Sequence, residues 1–125
     1  MKKIYHEQKK SQGSASLMRI YMSKVPSGKY LEVKHAAGTV YTSTPGDYTT
    51  ATYINIGYEV NGVRYYLKGS DISASNTVIS IGRSFVVPPG GRVFFEFEAT
   101  STSQKYEVVV NGYMCDLEEE AESES

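Results

Sequence analysis

Asn61-Gly62 stands between two strand-like runs, and no other feature of the chain restricts its fold as tightly. Before it, Ile54, Ile56, Tyr58 and Val60 alternate with Tyr53, Asn55, Gly57 and Glu59; after it, Val63 to Lys68 reads as the return. Side chains on a strand point to opposite faces in turn, so such alternation predicts a strand buried on one side. Both central residues of a two-residue hairpin take positive φ, which Gly accepts and Asn tolerates. The dipeptide therefore predicts an antiparallel hairpin.

The same period recurs. Met18, Ile20 and Met22 alternate with Arg19 and Tyr21, and Leu31, Val33 and His35 with Tyr30, Glu32 and Lys34. Val40 and Tyr41 suggest a short strand, followed by a Thr/Pro/Gly/Asp loop at 42–49. Further strands are expected at Thr77–Ile81, at Phe85–Val87, over Val93, Phe95, Phe97 and Ala99, and from Tyr106 to Met114. Gly69-Ser70-Asp71, Ser73 to Asn76 and residues 100–104 read as loops or turns. Eleven Tyr, four Phe and many Val, Ile and Thr favour strands, and no amphipathic helical period competes with them. About eight short strands in 125 residues indicate a single all-β antiparallel sandwich of jelly-roll type.

Two segments echo each other: Val25-Pro26-Ser27-Gly28-Lys29 and Val87-Pro88-Pro89-Gly90-Gly91-Arg92. Each joins Val-Pro to a Gly turn, a basic residue and an alternating strand. Pro beside a strand end with Gly supplying positive φ is turn chemistry, so they read as equivalent corners.

The formal net charge of −1 hides an uneven distribution. Residues 1–10 carry Lys2, Lys3, Lys9 and Lys10 against Glu7 alone, whereas residues 116–125 carry six carboxylates and no base. Residues 1–16 are polar, with Ile4 and Tyr5 as the large apolar groups, and are expected to form a flexible arm. Residues 17–117 would be the sandwich and 118–125 an acidic tail. A body so nearly neutral argues against a specific nucleic-acid partner. The N-terminus lacks the apolar stretch of a secretory signal, and no run of apolar residues is long enough for a membrane span, so synthesis in a host cytoplasm and no membrane partner are expected.

Catalytic patterns are missing from these residues. His6 and His35 are the only histidines, His6 in the arm and His35 on the inward register of its strand; they are too few for a histidine metal site. Cys115, the single cysteine, has no neighbouring His to activate it and reads as a small apolar residue closing the last strand. Glu96 and Glu98 share one strand face, a spacing that glycoside hydrolysis could use, but alternation with Phe95 and Phe97 reads as a solvated face. Gly90-Gly91 and Gly112 fit no phosphate-binding fingerprint. A non-enzymatic role without cofactor or metal is expected.

Tyrosine is the surplus that needs an account. Tyr21, Tyr30, Tyr53 and Phe94 fall on outward registers of strands whose other faces are apolar. Cross-strand pairing within the sheet is one reading. An interface is another, since aromatic side chains bring area at low entropic cost. Sugar stacking by Tyr30 or Tyr53, aided by loop residues such as Asn76 and Asp47, is a third.

The Val-Pro-x-Gly corners at 25–28 and 87–91, the Asn61-Gly62 hairpin and the closing strand Val108-Val109-Val110-Asn111-Gly112-Tyr113 resemble the small jelly-roll virion proteins of tailed phages and related viruses. Those are capsid cement or decoration proteins and fibre modules. The resemblance implies an oligomer, often a trimer, seated in the virion against the major capsid protein or another virion protein. On that reading Lys2, Lys3, Ile4, Tyr5, Lys9 and Lys10 of the arm, with Tyr21, Tyr30, Tyr53 and Phe94, form the interface. The alternative is a carbohydrate-binding module or adhesin domain with a glycan partner; the lack of Trp counts against it.

Overall fold

The computed structural model describes residues 2–13, 17–42, 52–72, 77–98 and 104–117. Among them are nine strands: β1 (Lys2–Gln12), β2 (Met18–Tyr21), β3 (Lys29–Thr42), β4 (Thr52–Val60), β5 (Val63–Ile72), β6 (Val78–Ile81), β7 (Phe85–Val87), β8 (Arg92–Glu98) and β9 (Gln104–Asp116). The acidic tail, the Ser73–Asn76 loop and nearly all of the 42–49 loop and 100–104 turn lie outside the described residues.

The pairings nest around one turn. β4 and β5 form the hairpin at Asn61-Gly62, where φ is 52° and 79°; β3 then pairs β6 and β7, β2 pairs β8, and β1 pairs β9, all antiparallel. Lateral pairing of β3 with β9 and β4 with β8 rolls this long hairpin into two sheets. Sheet A runs β1-β9-β3-β6 with β7 also on β3, and sheet B runs β2-β8-β4-β5. This is the jelly-roll topology of two four-stranded layers, with its sixth position split between β6 and β7.

The inward registers make the core. Leu31, Val33, Ala36, Val40, Tyr106, Val108 and Val110 of sheet A face Ile20, Ile54, Ile56, Val93, Phe95 and Phe97 of sheet B, all buried. Phe97 and Tyr106 meet across the layers with ring centroids 4.8 Å apart. The two Val-Pro corners are equivalent in geometry. Lys29 N–H donates to the Pro26 carbonyl (3.2 Å) and Gly91 N–H to the Pro88 carbonyl (3.0 Å), with positive φ at Gly28 and Gly90. They also bond to each other: Val25 N–H donates to the Gly91 carbonyl and Gly90 N–H to the Val25 carbonyl, both at 2.8 Å.

Four sequence expectations need correction. Residues 2–12, read as a flexible arm, are strand β1, laid along β9 for its whole length. The segment has little apolar surface of its own, but β9 offers it a ladder and the open side of the sandwich offers it contacts. Tyr5 packs against the core, and its hydroxyl donates to Glu7. Glu7 accepts Ser23 N–H at 2.9 Å and Ser23 Oγ at 2.7 Å, while Lys9 Nζ donates to the Tyr21 carbonyl. These bonds satisfy the free edge of β2 and its extension, so β1 closes the gap between the sheets.

His35, placed inward by strict alternation, is exposed. A bulge between Val33 and His35 shifts the register by one, so Ala36 and Val40 continue the buried set of Leu31 and Val33. Val40 and Tyr41 belong to the same long strand. Gly69-Ser70-Asp71, read as loop, continues β5, where a second bulge opposite Ile56 and Gly57 inserts one residue.

Candidate binding faces

Each sheet has an outer face, and the two differ in kind. On sheet B, Arg19, Glu96 and Asn55 form one cross-strand row, and Tyr21, Phe94, Gly57 and Tyr66 form the next. Arg92, Glu59 and Arg64 make a third. Alternation puts these residues outward, yet the rows fold over themselves. Phe94 is wholly buried under Tyr21 and Tyr66, with centroid separations of 6.4 and 5.3 Å, which corrects its expected exposure. Glu96 is buried too, not part of a solvated face. Arg19 Nε donates to it at 2.7 Å, Tyr66 Oη at 3.1 Å and Asn55 Nδ2 at 3.3 Å.

A second carboxylate is clamped nearby. Arg92 and Arg64 each lie 3.2 Å from Glu59, the Tyr21 hydroxyl donates to it at 3.3 Å, and the Arg92 guanidinium sits 3.8 Å over the Tyr21 ring. Burial alone would raise the Glu59 carboxyl, but the Arg92 hydrogen bond and charge, the Tyr21 hydroxyl and Arg64 outweigh it and hold it below its ordinary value. Tyr66 moves the other way: burial, then the bond to Glu96 and that carboxylate's charge, raise its hydroxyl.

Sheet A presents apolar groups instead. Ile4, Tyr113, Glu32 and Val86 are successive partners across β1, β9, β3 and β7. Ile4 is 86% exposed and Val86 50%. Tyr30, Pro88, Pro89 and Leu117 extend this surface around Glu32 and Val86. Further along the face, small Ala37 and the backbone of Gly38 floor a shallow depression of ≈ 320 Å³ bordered by Gln8, Val78, Glu107 and Val109. Loose ion pairs, Lys2–Glu32 and Lys10–Glu107, both 3.9 Å, flank the row and the depression.

The ten residues expected to form one interface are thus distributed over the molecule. Lys2, Ile4, Lys10 and Tyr30 lie on the outer face of sheet A; Tyr21, Tyr53 and Phe94 lie on that of sheet B. Lys3, Tyr5 and Lys9 occupy the other register of β1, where Tyr5 and Lys9 are tied into the sandwich. Asn76 and Asp47 lie outside the described residues. Cys115 is buried near the end of β9, as expected of a small apolar residue. Arg19, Arg64, Arg92, Glu59 and Tyr66 were not legible as a cluster, because strand pairing brings them together from β2, β4, β5 and β8. Their one sequence signal was charge and Tyr on outward registers.

No family model matches the chain, and no curated protein does. Among solved structures the chain is similar over 79% of its length to one described as "Family 16 Carbohydrate Binding Module-2", at 16% identity, covering 70% of that chain with a TM-score of 0.34. It is similar over 98% of its length to a chain of "Structure of infectious bursal disease virus Gx strain", at 11% identity, covering 42% of that chain with a TM-score of 0.29. Superpositions this loose add nothing to what the chain's own strand pairings establish. Among the described residues no helix is long and apolar enough to cross a membrane.

Proposed function

We propose that this chain is a non-enzymatic structural protein of a virion, acting as a cement or decoration subunit. It docks through the outer face of sheet A onto copies of itself, with a trimer as the expected symmetry, and onto a capsid protein. The observation that carries this reading is the set of exposed apolar side chains on the outer face of sheet A, where Ile4 and Val86 flank Tyr113 and Glu32, Leu117 lies near Val86, and Val78 stands farther along the face. Single exposed apolar side chains are ordinary on any protein, but several gathered on one sheet face mark an interaction surface. The jelly roll supplies the rigid support; it hosts many activities, so the face and not the fold bears the argument.

Sedimentation equilibrium and particle co-sedimentation test it. Wild-type protein should be oligomeric at roughly tens of micromolar, burying about 800 Å² per partner in a standard interface. Ile4→Glu with Val86→Glu should leave a folded monomer that no longer binds particles. A wild-type monomer that ignores particles would overturn the reading.

A further inference from the structure

The outer face of sheet B holds a surface that assembly through sheet A leaves unused. Tyr53 and Tyr66 stand on it, 37% and 50% exposed. Tyr66 pairs with Gly57, four residues along β4 from Tyr53, so the backbones of the two tyrosines lie roughly 14 Å apart at the rise of a strand. The ground between them is polar and held in place. Asn55 and Glu96 are cross-strand partners there, and Gly69 pairs Asn55 from β5. A Cβ on Gly69 would sit 2.3 Å from Tyr53 Oη and 3.0 Å from Asn55 Oδ1, so ring tip and amide oxygen both lie over bare backbone. Any other residue at 69 would displace them.

Charge on this face is partly paired, and its Tyr53 end is acidic, with exposed Asp71 and Glu98 as the cross-strand partners of Tyr53. Arg19 answers Glu96, and Arg64 with Arg92 answers Glu59. Cross-strand packing accounts for the edge contact of Tyr66 with Phe94, but not for the exposed parts of Tyr66 and Tyr53. Two aromatic plates, separated by fixed hydrogen-bonding groups and with exposed carboxylates at the Tyr53 end, do not complement an anion. They complement an uncharged chain whose ring faces are apolar and whose edges carry hydroxyls.

We propose that this face binds a neutral oligosaccharide, with sugar rings stacked on Tyr53 and Tyr66 and hydroxyls hydrogen-bonded to Asn55, which Glu96 beneath holds in place. The site is independent of assembly through sheet A, and the two fail separately. Its test is calorimetric titration of the full chain with hexasaccharides of β-1,4-linked glucose, mannose, xylose and N-acetylglucosamine, and with hexagalacturonate as the charged control. At least one neutral hexamer should bind with micromolar to low-millimolar Kd and exclude the control. Tyr53→Ala and Asn55→Ala should each weaken it on the order of tenfold, with melting temperature retained. Ile4→Glu, on the other sheet, should leave it unchanged. Absence of binding to every neutral hexamer at about 5 mM, preference for the charged control, or binding indifferent to both site variants would overturn the proposal.

Discussion

Gly62 has φ of 79°, and nothing lies within 4 Å of where its Cβ would be. A side chain there meets no steric obstacle, so any cost is backbone strain alone. Gly62→Val should lose about 1–3 kcal/mol in urea denaturation, and Gly62→Asn distinctly less, because Asn tolerates the left-handed region and a β-branched residue resists it. Equal losses would mean that the turn relaxes. The Arg19–Glu96 pair makes a sharper case. The Glu96 carboxylate is almost wholly covered while Arg19 is a third exposed, so the two ends are not equivalent. Removing the arginine leaves a covered charge with weaker partners, whereas removing the carboxylate charge leaves a guanidinium that water can reach. Arg19→Met should therefore destabilise by about 1–3 kcal/mol and Glu96→Gln by less, measured in the same titration. The reverse order would show that the carboxylate is better hydrated than its burial implies.

At the scale of elements, β1 is the strand whose removal tells most. It is laid along all of β9 and covers the open side of the core through Tyr5, so deletion of residues 2–12 should lower the melting temperature sharply or abolish folding. An unchanged melting temperature would make β1 the dispensable arm its composition suggests. The same strand carries an acid-sensitive contact. Burial alone would raise the Glu7 carboxyl, but bonds from the Tyr5 hydroxyl and from Ser23, with the Lys9 charge, hold it below its ordinary 4.5. A carboxyl depressed in the folded chain contributes stability that is complete above the unfolded value and lost as pH falls through the folded one. Stability should thus hold from neutral pH down to 4.5 and decline below it, with Glu59 acting in the same sense. Glu7→Gln should be less stable at pH 7 and show a shallower acid limb. Burial, then the bond to Glu7 and its charge, raise the Tyr5 hydroxyl well above 10.0, so stability should also fall as pH climbs past that value.

Across the whole molecule, the outermost pairs join strands from opposite ends of the chain: β1 with β9 and β2 with β8. Among the described strands only the β4–β5 hairpin is local. Loop closure must precede most of the favourable contacts, so refolding from urea should take milliseconds to seconds, on the order expected of β-sandwiches. Stopped-flow tyrosine fluorescence will measure it, and a microsecond phase carrying the full amplitude would contradict the nested order. Variants at Phe97 or Tyr106, whose rings meet between the layers, should slow folding more than Gly62→Val if the layers join before the hairpin closes.

Period-two alternation and turn chemistry are local properties, and they determined the strands, the Asn61-Gly62 hairpin, the paired Val-Pro corners and the jelly-roll class. Side-chain direction follows from the pleat, and positive φ follows from Gly and Asn, so neither needs a distant partner to be legible. What they left open depends on residues far apart in sequence. The segment 2–12 reads as polar because its partners, β9 and Ser23, lie elsewhere in the chain. His35 misleads because a bulge is one extra residue accommodated by the facing strand, which alternation alone does not mark. Phe94 and Glu96 occupy outward positions and are nonetheless buried, since Tyr21, Tyr66 and Arg19 arrive from β2 and β5 to cover them. Register states which face a side chain takes; only the packing of neighbouring strands decides whether that face is wet.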